Sequence, residues 1–191
     1  MILVVDNYDS FVHNLARYIR ETGQETITVR NDSVNVAECI AMAPTGIVLS
    51  PGPKRPSDAK LCLALLSAIA PTTPLLGVCL GQQCLVEYFG GRTERALRPL
   101  HGEASEIHHN GTGLFNEIPS PMMAGRYHSL VSVLPAQENG LKVTAKSSEG
   151  EIMAVEHKER PWVGVQFHPE SLLSPHGRKI IENFVHGYVG K

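Results

Sequence analysis

The chain has 191 residues, of which 42% are apolar and 19% are charged, and its formal net charge at pH 7 is −2. This length suits one α/β domain with a substantial core, so we expect a single domain over residues 1–191. The nearly balanced charge argues against a nucleic-acid-binding surface and against a polybasic membrane patch. No apolar run is long enough to span a bilayer, and the first run is too short for a signal peptide.

The cysteines occupy positions 39, 62, 79 and 84, and their spacing contains no C-x-x-C motif. We therefore expect reduced thiols in a cytoplasmic protein, with one reactive cysteine and three structural ones. The histidine cluster formed by His101, His108 and His109 lacks the ligand spacing of a metal site. The sequence thus predicts no metal and no cofactor.

The first half of the chain alternates between apolar strands and amphipathic helices. The strands are predicted over residues 2–5, 26–29, 47–49 and 75–78. Helices are predicted between them and after the last one, with N-terminal caps at Asp9 or Ser10 and at Asp58. Such alternation predicts a parallel sheet covered on both faces, with right-handed crossovers and functional residues at the carboxyl ends of the strands.

The second half has a different pattern, in which strand-like segments follow one another directly. They are predicted over residues 104–109, 121–127, 130–134, 141–146, 152–157 and 162–167, and a last helix is predicted over 177–188. Short turns rich in Asn and Gly join several of these segments, as in antiparallel sheets. The predicted fold class is therefore α/β, with a mostly parallel, doubly wound sheet and an antiparallel extension.

Cys79 lies at a predicted strand-to-helix turn, with Gly77 two residues before it and Gly81 two residues after it. This spacing is the nucleophile-elbow pattern with cysteine in place of serine. The glycines allow a sharp turn, and the N-terminus of the following helix favours the thiolate form. Taken alone, the pattern is about as compatible with a buried cysteine in a glycine-containing turn.

His168 and Glu170 follow the last predicted strand and are separated by Pro169. Residues two apart in an extended backbone point to the same side, and proline biases the preceding residue toward that conformation. A carboxylate placed there can orient the imidazole, which can in turn activate a thiol. Cys79, His168 and Glu170 are thus candidates for nucleophile, base and orienting carboxylate.

A third motif, Pro51-Gly52-Pro53, follows the strand predicted over residues 47–49. Glycine lets a backbone N–H approach a ligand closely, and the two prolines stiffen the loop. The N–H groups of Gly52 and Leu80, the residue after the candidate nucleophile, are a natural pair for an oxyanion hole. By itself this motif is also compatible with an ordinary turn.

In this order and spacing, the three motifs resemble those of the class I glutamine amidotransferases, and the resemblance covers essentially the whole chain. The segments Asp6–Phe11 and Arg126–Leu130 are similar to the small (glutaminase) subunit, component II, of anthranilate synthase or aminodeoxychorismate synthase. The resemblance implies a flavodoxin-like fold, with Cys79, His168 and Glu170 as the catalytic triad.

The same resemblance implies a substrate, a reaction and a partner. The substrate would be L-glutamine, hydrolysed through a thioester on Cys79, and the ammonia would pass to a chorismate-binding large subunit. The substrate-binding residues would be Gly52, Pro53, Gln83, Ser129 and Leu130. We expect a structural or interface role for His128, and we expect the large subunit to dock at residues 7–11 and at the loops around the elbow.

Three positions depart from the pattern usual in relatives. Lys54 stands where a glycine is usual, which leaves the conformation of its loop open. Gln82 stands where His is usual and Glu103 where Lys is usual, and either could alter the partner interface; the consequence of all three departures is left open.

Two other functions remain open at this point. One is a stand-alone cysteine hydrolase of γ-glutamyl substrates with the same fold, and the other is an inactive regulatory subunit. The pathway is open as well, because the protein could serve tryptophan synthesis, folate synthesis or both. Residues 108–113 and 151–153 are slightly closer to the folate type.

Overall fold

The structure, a computed structural model, describes residues 1–137 and 139–190. Its strands are β1 Ile2–Asp6, β2 Thr26–Arg30, β3 Gly46–Leu49, β4 Leu75–Val78, β5 Arg92–Arg95, β6 Glu103–His109, β7 Met122–Arg126, β8 Leu130–Val133, β9 Leu141–Ser147, β10 Ile152–His157 and β11 Trp162–Val165. Its α-helices are α1 Val12–Glu21, α2 Val36–Ala41, α3 Lys60–Ala68, α4 Leu80–Tyr88 and α5 Gly177–Phe184. Within the described residues, no helix has the length and apolar character needed to cross a membrane.

The main sheet runs through both halves of the chain in the order β2-β1-β3-β4-β11-β10-β9-β6-β7. The strands from β2 to β11 in this order are parallel to one another. The remaining four pair antiparallel and extend the sheet beyond β11. The predicted fold class is therefore confirmed, with β11 as the strand where the two pairing modes meet.

One predicted strand of the extension lies outside the main sheet. The segment predicted over residues 130–134 is β8, and it pairs antiparallel with β5 in a separate two-stranded sheet. The sequence analysis missed β5 because three of its four side chains are exposed, which removes the alternation that marks a half-buried strand.

The four inner parallel strands, β1, β3, β4 and β11, bury both of their faces because helices cover the sheet on each side, whereas the edge strand β2 is partly exposed. On β1, Ile2 and Val4 pack into the core that α1 and α5 complete. Leu3 and Val5 point the other way, into the core formed with α2, α3 and α4. All four side chains are fully buried, and full burial of such a side chain typically contributes about 1.5–3 kcal/mol.

Three helix boundaries differ from the predicted ones. Asp9 does not cap α1, because its carboxylate accepts a hydrogen bond from the N–H of Phe11, one residue before the helix, at 2.8 Å. Asp58 lies in the 3₁₀ turn Pro56–Asp58, and α3 begins after that turn. The last predicted helix is α-helical only to Phe184, and residues 185–189 continue it as a π-helical turn.

Helix α4 lies directly on the sheet because Gly81 has no side chain. A Cβ placed on Gly81 would lie 2.3 Å from the carbonyl oxygen of Leu49 and 2.8 Å from its Cβ. Both clashes are with β3, whose atoms are fixed by pairing on two sides. The start of α4 is thus held against the carboxyl end of β3.

We therefore predict that Gly81→Ala destabilises the protein by about 3 kcal/mol, the upper part of the range for overpacked interiors. Thermal unfolding measures this as a fall in Tm of about 6–12 °C. Gly187→Ala is the matched control, because a Cβ there meets no atom within 4 Å. A Gly81→Ala protein as stable as Gly187→Ala would contradict the packing of α4 on β3.

Candidate active site

The predicted site residues lie on loops that follow four neighbouring strands. The loops after β1, β3, β4 and β11 carry Asn7, Gly52, Cys79 and His168, in that order. The strand order changes direction between β1 and β3, and such a switch opens a crevice at the carboxyl edge of an α/β sheet. The topology therefore brings together groups that are far apart in the sequence.

The backbone of Cys79 adopts a strained conformation, with φ 52° and ψ −102°. Its N–H donates to the carbonyl of Val165 on β11 at 2.8 Å, and its carbonyl accepts from the N–H of Gln83 at 3.1 Å. A Cβ on Gly77 would lie 2.5 Å from the carbonyl of Gly81, so the turn closes only with glycine there. Such a backbone typically costs about 1–3 kcal/mol, which is tolerated where packing fixes it.

The imidazole of His168 and the carboxylate of Glu170 are in direct contact, as predicted from their spacing. His168 Nδ1 is 2.6 Å from Glu170 Oε1, and both residues are almost completely buried. Since a carboxylate accepts, the proton lies on Nδ1. Nε2 of the same ring is buried and has no hydrogen-bond partner among the described residues. The nitrogen available for proton transfer is therefore Nε2.

The pKa of His168 reflects opposing effects. Burial alone would lower it, but the negative charge of Cys79 and the contact with Glu170 raise the pKa of His168 well above its usual value. The nearby Asp9 carboxyl has a raised pKa, mainly because of burial, while the charge of His168 opposes that rise. The site thus favours the charged imidazolium form of His168.

The loop that carries His168 is anchored to β7. The N–H of His168 donates to the carbonyl of Gly125 at 3.0 Å, and its carbonyl accepts from the hydroxyl of Ser174 at 2.6 Å. The imidazole ring packs against Tyr127, with 4.9 Å between ring centroids, and edge-on against Phe11. No sequence pattern indicated Ser174, because its contact depends on how the loop folds back.

The loop with Gly52 is fixed by the residue that follows β1. Asn7 donates from its N–H to the hydroxyl of Ser50 and from its side-chain Nδ2 to the carbonyl of Ser50, both at 2.9 Å. A Cβ on Gly52 would lie 2.5 Å from Asn7 O and 3.1 Å from Leu80 Cδ2. Gly52 and Leu80, the predicted oxyanion pair, are therefore neighbours. Pro53 lines a cavity of about 280 Å³ beside them.

The amide of Gln83 bridges two elements rather than pointing into solvent. Its Nε2 donates to the carbonyl of Leu130 at 3.2 Å and to Oε1 of Gln166 at 3.1 Å. Gln166 is fully buried, and its own Nε2 lies 3.5 Å from Cys79 Sγ. The sequence analysis missed Gln166, although a polar residue in an apolar strand just before His168 was a usable signal.

The backbone carbonyls of the predicted substrate-binding segment are already engaged. Leu130 O accepts from Gln83 and from Nδ1 of His128, and Ser129 O accepts from the N–H of Ala96 at 2.9 Å. A carbonyl oxygen has two lone pairs, so Leu130 O is saturated. The N–H groups of this segment and the exposed side chain of Ser129 are the parts left for a ligand.

Below this segment lies a buried ion pair between Arg126 and Glu151. Glu151 also accepts from the N–H of Leu97 at 2.8 Å, and Arg126 Nε donates to Nε2 of His128 at 3.1 Å. Burial, together with the Arg126 charge, lowers the pKa of His128 to about 3. His128 is thus neutral and buried, which matches the structural role expected for it.

The three departures from the family pattern lie in different environments. Lys54 has φ 80°, a value that favours the glycine found in relatives. Gln82 is fully buried, with its Nε2 3.3 Å from the hydroxyl of Ser132, so its side chain offers no surface for direct contact with a partner. Helix α4 turns Gln82 toward Gly164 on β11. Glu103 is exposed and pairs with Arg98 at 2.9 Å.

Two of the histidines considered as metal ligands, His101 and His109, make separate local contacts. Both ring nitrogens of His109 bond to backbone, Nε2 to the carbonyl of Pro119 and Nδ1 to the N–H of Gly111. His101 packs edge-on against Tyr127. Among residues 1–137 and 139–190, no group of three or more His, Cys, Asp or Glu side chains is placed to hold a metal ion.

Several known proteins are similar to this chain in fold and in sequence. The solved structure of a protein assigned as one of the GMP synthase subunits of Thermoplasma acidophilum has a TM-score of 0.87 and 27% identity, covering 99% of this chain and 93% of that one. Anthranilate synthase component 2 of Azospirillum brasilense is 50% identical, over 97% of this chain and 95% of its own length.

Two further relatives have aminodeoxychorismate synthase in their names. Aminodeoxychorismate synthase component 2 of Escherichia coli is 44% identical, over 97% of this chain and 100% of its own length. Aminodeoxychorismate/anthranilate synthase component 2 of Bacillus subtilis is 42% identical, over 98% of this chain and 97% of its own length. The model of the family described as glutamine amidotransferase class-I matches residues 3–187. The chain therefore belongs to the class I glutamine amidotransferase family.

Proposed function

We propose that this protein is the glutaminase subunit of a chorismate-using synthase, in which it hydrolyses L-glutamine and supplies the ammonia. One observation carries the proposal: Cys79 stands on a strained elbow beside an imidazole whose other nitrogen is bonded to the buried carboxylate of Glu170. Relatives named component 2 of anthranilate or aminodeoxychorismate synthase, similar over almost their whole length, support the chorismate branch.

The first half of the reaction forms a thioester. The thiolate of Cys79 attacks the side-chain carbonyl carbon of glutamine, and the carbonyl oxygen becomes an oxyanion. The N–H groups of Gly52 and Leu80 donate to that oxyanion, since the loop with Gly52 lies against Leu80 at the elbow. His168 transfers the proton on Nε2 to the departing nitrogen, so that ammonia leaves and a glutamyl thioester remains.

The second half releases glutamate. His168, now neutral at Nε2, removes a proton from water, and the resulting hydroxide attacks the thioester carbonyl. Collapse of the second tetrahedral intermediate returns the thiolate of Cys79 and frees glutamate. Throughout both halves Glu170 accepts from Nδ1, which fixes the tautomer and orientation of the ring.

Glutamine binding is assigned to Gly52, Pro53, Gln83, Ser129 and Leu130. Gln166 and the Leu130 carbonyl hold the amide of Gln83 in place for this role, because Gln83 Nε2 donates to both. The saturated carbonyl of Leu130 implies that the segment recognises the substrate carboxylate through N–H groups. The α-amino group then needs an acceptor elsewhere, for which the exposed hydroxyl of Ser129 is available.

The large subunit is proposed to dock at the carboxyl edge, where ammonia leaves the elbow. Two apolar side chains are exposed on loops of that edge, Tyr8 after β1 and Leu172 next to the His168 loop. Leu172 is 95% exposed. We also propose a cytoplasmic location, which is supported by four cysteines that are all free thiols.

The pathway is tested by mixing the purified chain with an anthranilate-type or an aminodeoxychorismate-type large subunit, plus chorismate and glutamine. We expect an aminated product with at least one of them, and product analysis assigns the pathway. We also expect glutamine hydrolysis to rise with the partner, because ammonia released alone is wasted. Glutamine hydrolysis without aminated product in either mixture would contradict the chorismate branch.

The role of Glu170 is tested by the pH dependence of kcat/KM. Because the contact with Glu170 raises the pKa of His168, Glu170→Gln should lower that pKa. Because His168 is the general acid, kcat/KM falls as pH rises through the pKa of His168. The alkaline limit of the pH profile should therefore move to lower pH in Glu170→Gln. We also expect the maximal rate to fall about 10²–10⁴-fold, as for loss of acid–base function.

The matched control for this test is Glu106→Gln, since Glu106 is exposed on β6. Both proteins are measured in complex with the large subunit. The pH profile of kcat/KM for Glu106→Gln should then coincide with that of the protein without a substitution. An alkaline limit that stays in place in Glu170→Gln would show that Glu170 does not act through His168.

A further inference from the structure

A continuous buried chain of hydrogen bonds connects the Arg126–Glu151 ion pair to the sulfur of Cys79. It passes from Arg126 to His128, to the carbonyl of Leu130, to Gln83 and to Gln166, where it ends on Sγ. The side chains of this chain are almost completely buried. Of the roles proposed above, only the placement of Gln83 involves Gln166, and none involves the ion pair.

The direction of each bond at the sulfur end follows from a backbone carbonyl. Leu130 O can only accept, so the side-chain NH₂ of Gln83 must face it. The same NH₂ then donates its second proton to Gln166, which must present Oε1 to receive it. Gln166 is left with its NH₂ directed at Cys79 Sγ, 3.5 Å away. The orientation of the Gln166 amide is thus determined by its neighbours.

The other end of the chain is determined in the same way. Leu130 O accepts from His128 Nδ1 at 3.0 Å, so that nitrogen carries the proton. His128 Nε2 must then accept, which suits Arg126, a side chain that only donates. Glu151 balances the charge of Arg126 and holds it in place. No group in the chain has an alternative protonation state or orientation that keeps every bond.

We infer that Gln166 is a catalytic residue that donates a hydrogen bond to the thiolate of Cys79, and that Gln83 is a positioning residue that fixes the Gln166 amide. The inference rests on the proposed role of Cys79 as nucleophile. A thiolate accepts such a bond strongly, whereas the sulfur of a thiol or thioester accepts it weakly. Gln166 therefore stabilises the ionised state of the nucleophile before attack.

The arrangement also explains why a polar side chain is kept in this core. Gln166 lies between two buried apolar residues of the same segment, Val165 and Phe167. An amide buried there without partners would be destabilising. Here both ends of the amide are bonded, and one of the partners is the reactive sulfur.

The test is the pH dependence of alkylation of Cys79 by iodoacetamide in the isolated full chain, with the modified residue identified by mass spectrometry. Only the thiolate reacts, so the midpoint of the profile reports its ionisation. In Gln166→Met we expect the midpoint to rise by about 1 pH unit, the size expected for losing one bond to a charged group. Gln83→Met should raise it by less.

Gln82→Met is the matched control, because Gln82 is an equally buried glutamine of the same elbow whose amide bonds to Ser132 instead of the sulfur. Gln166→Glu guards against misfolding of Gln166→Met, since it keeps the shape and the acceptor facing Gln83. A carboxylate beside the thiolate should raise the midpoint further, through like-charge repulsion.

Midpoints in Gln166→Met and Gln166→Glu equal to that of Gln82→Met would overturn the role of Gln166. A shift in the Gln166 variants but none in Gln83→Met would overturn the positioning role of Gln83. The readout needs no glutamine and no partner subunit. Failure of the chorismate assignment would therefore leave this result unchanged, and the two failures are distinguishable.

Discussion

The backbone of Cys79 lies in the left-handed region, at φ 52°, and the surrounding packing holds it there. Its N–H is tied to Val165 on β11, and Gly77 and Gly81 allow the turn to close against itself and against β3. Each of these contacts depends on parallel pairing among β3, β4 and β11, which sets the register at the carboxyl edge. The pairing of these central strands thus holds Cys79 in its strained conformation. Strained residues held in this way are common at functional sites.

Two buried ion pairs are connected to this turn, His168–Glu170 and Arg126–Glu151, and they have different roles. In the proposed reaction His168 exchanges the proton on Nε2, while Glu170 accepts from Nδ1 throughout. The Arg126–Glu151 pair has a fixed role: burial and the Arg126 charge lower the pKa of His128, and the neutral ring begins the series of hydrogen bonds that orients the amides of Gln83 and Gln166. A buried pair of this kind contributes little net stability, but removal of one partner typically costs about 3–5 kcal/mol. We interpret the second pair as a fixed support for the first.

Much of this arrangement could be predicted from the sequence, since the signals were local. Glycine spacing around Cys79, proline after His168 and alternating elements located the candidate nucleophile, the candidate base and the fold class. The contacts of Gln166, Gln82 and Ser174 could not be predicted, because they depend on the register of β11 against β4 and on how the His168 loop folds back. Strand β5 was missed for a related reason: its partner β8 lies about 40 residues away, and its own side chains are mostly exposed.

In the proposed function, Cys79 is the glutamine-specific nucleophile among four buried cysteines. Burial raises the pKa of the Cys39 thiol, whereas a hydrogen bond with Cys84 lowers the pKa of the Cys62 thiol. The most direct measurement is mass spectrometry after exposure to a chloroketone analogue of glutamine, with and without competing glutamine. We expect a single label on Cys79 that excess glutamine prevents. Labelling of another cysteine, or labelling of Cys79 that glutamine does not prevent, would contradict this role of Cys79.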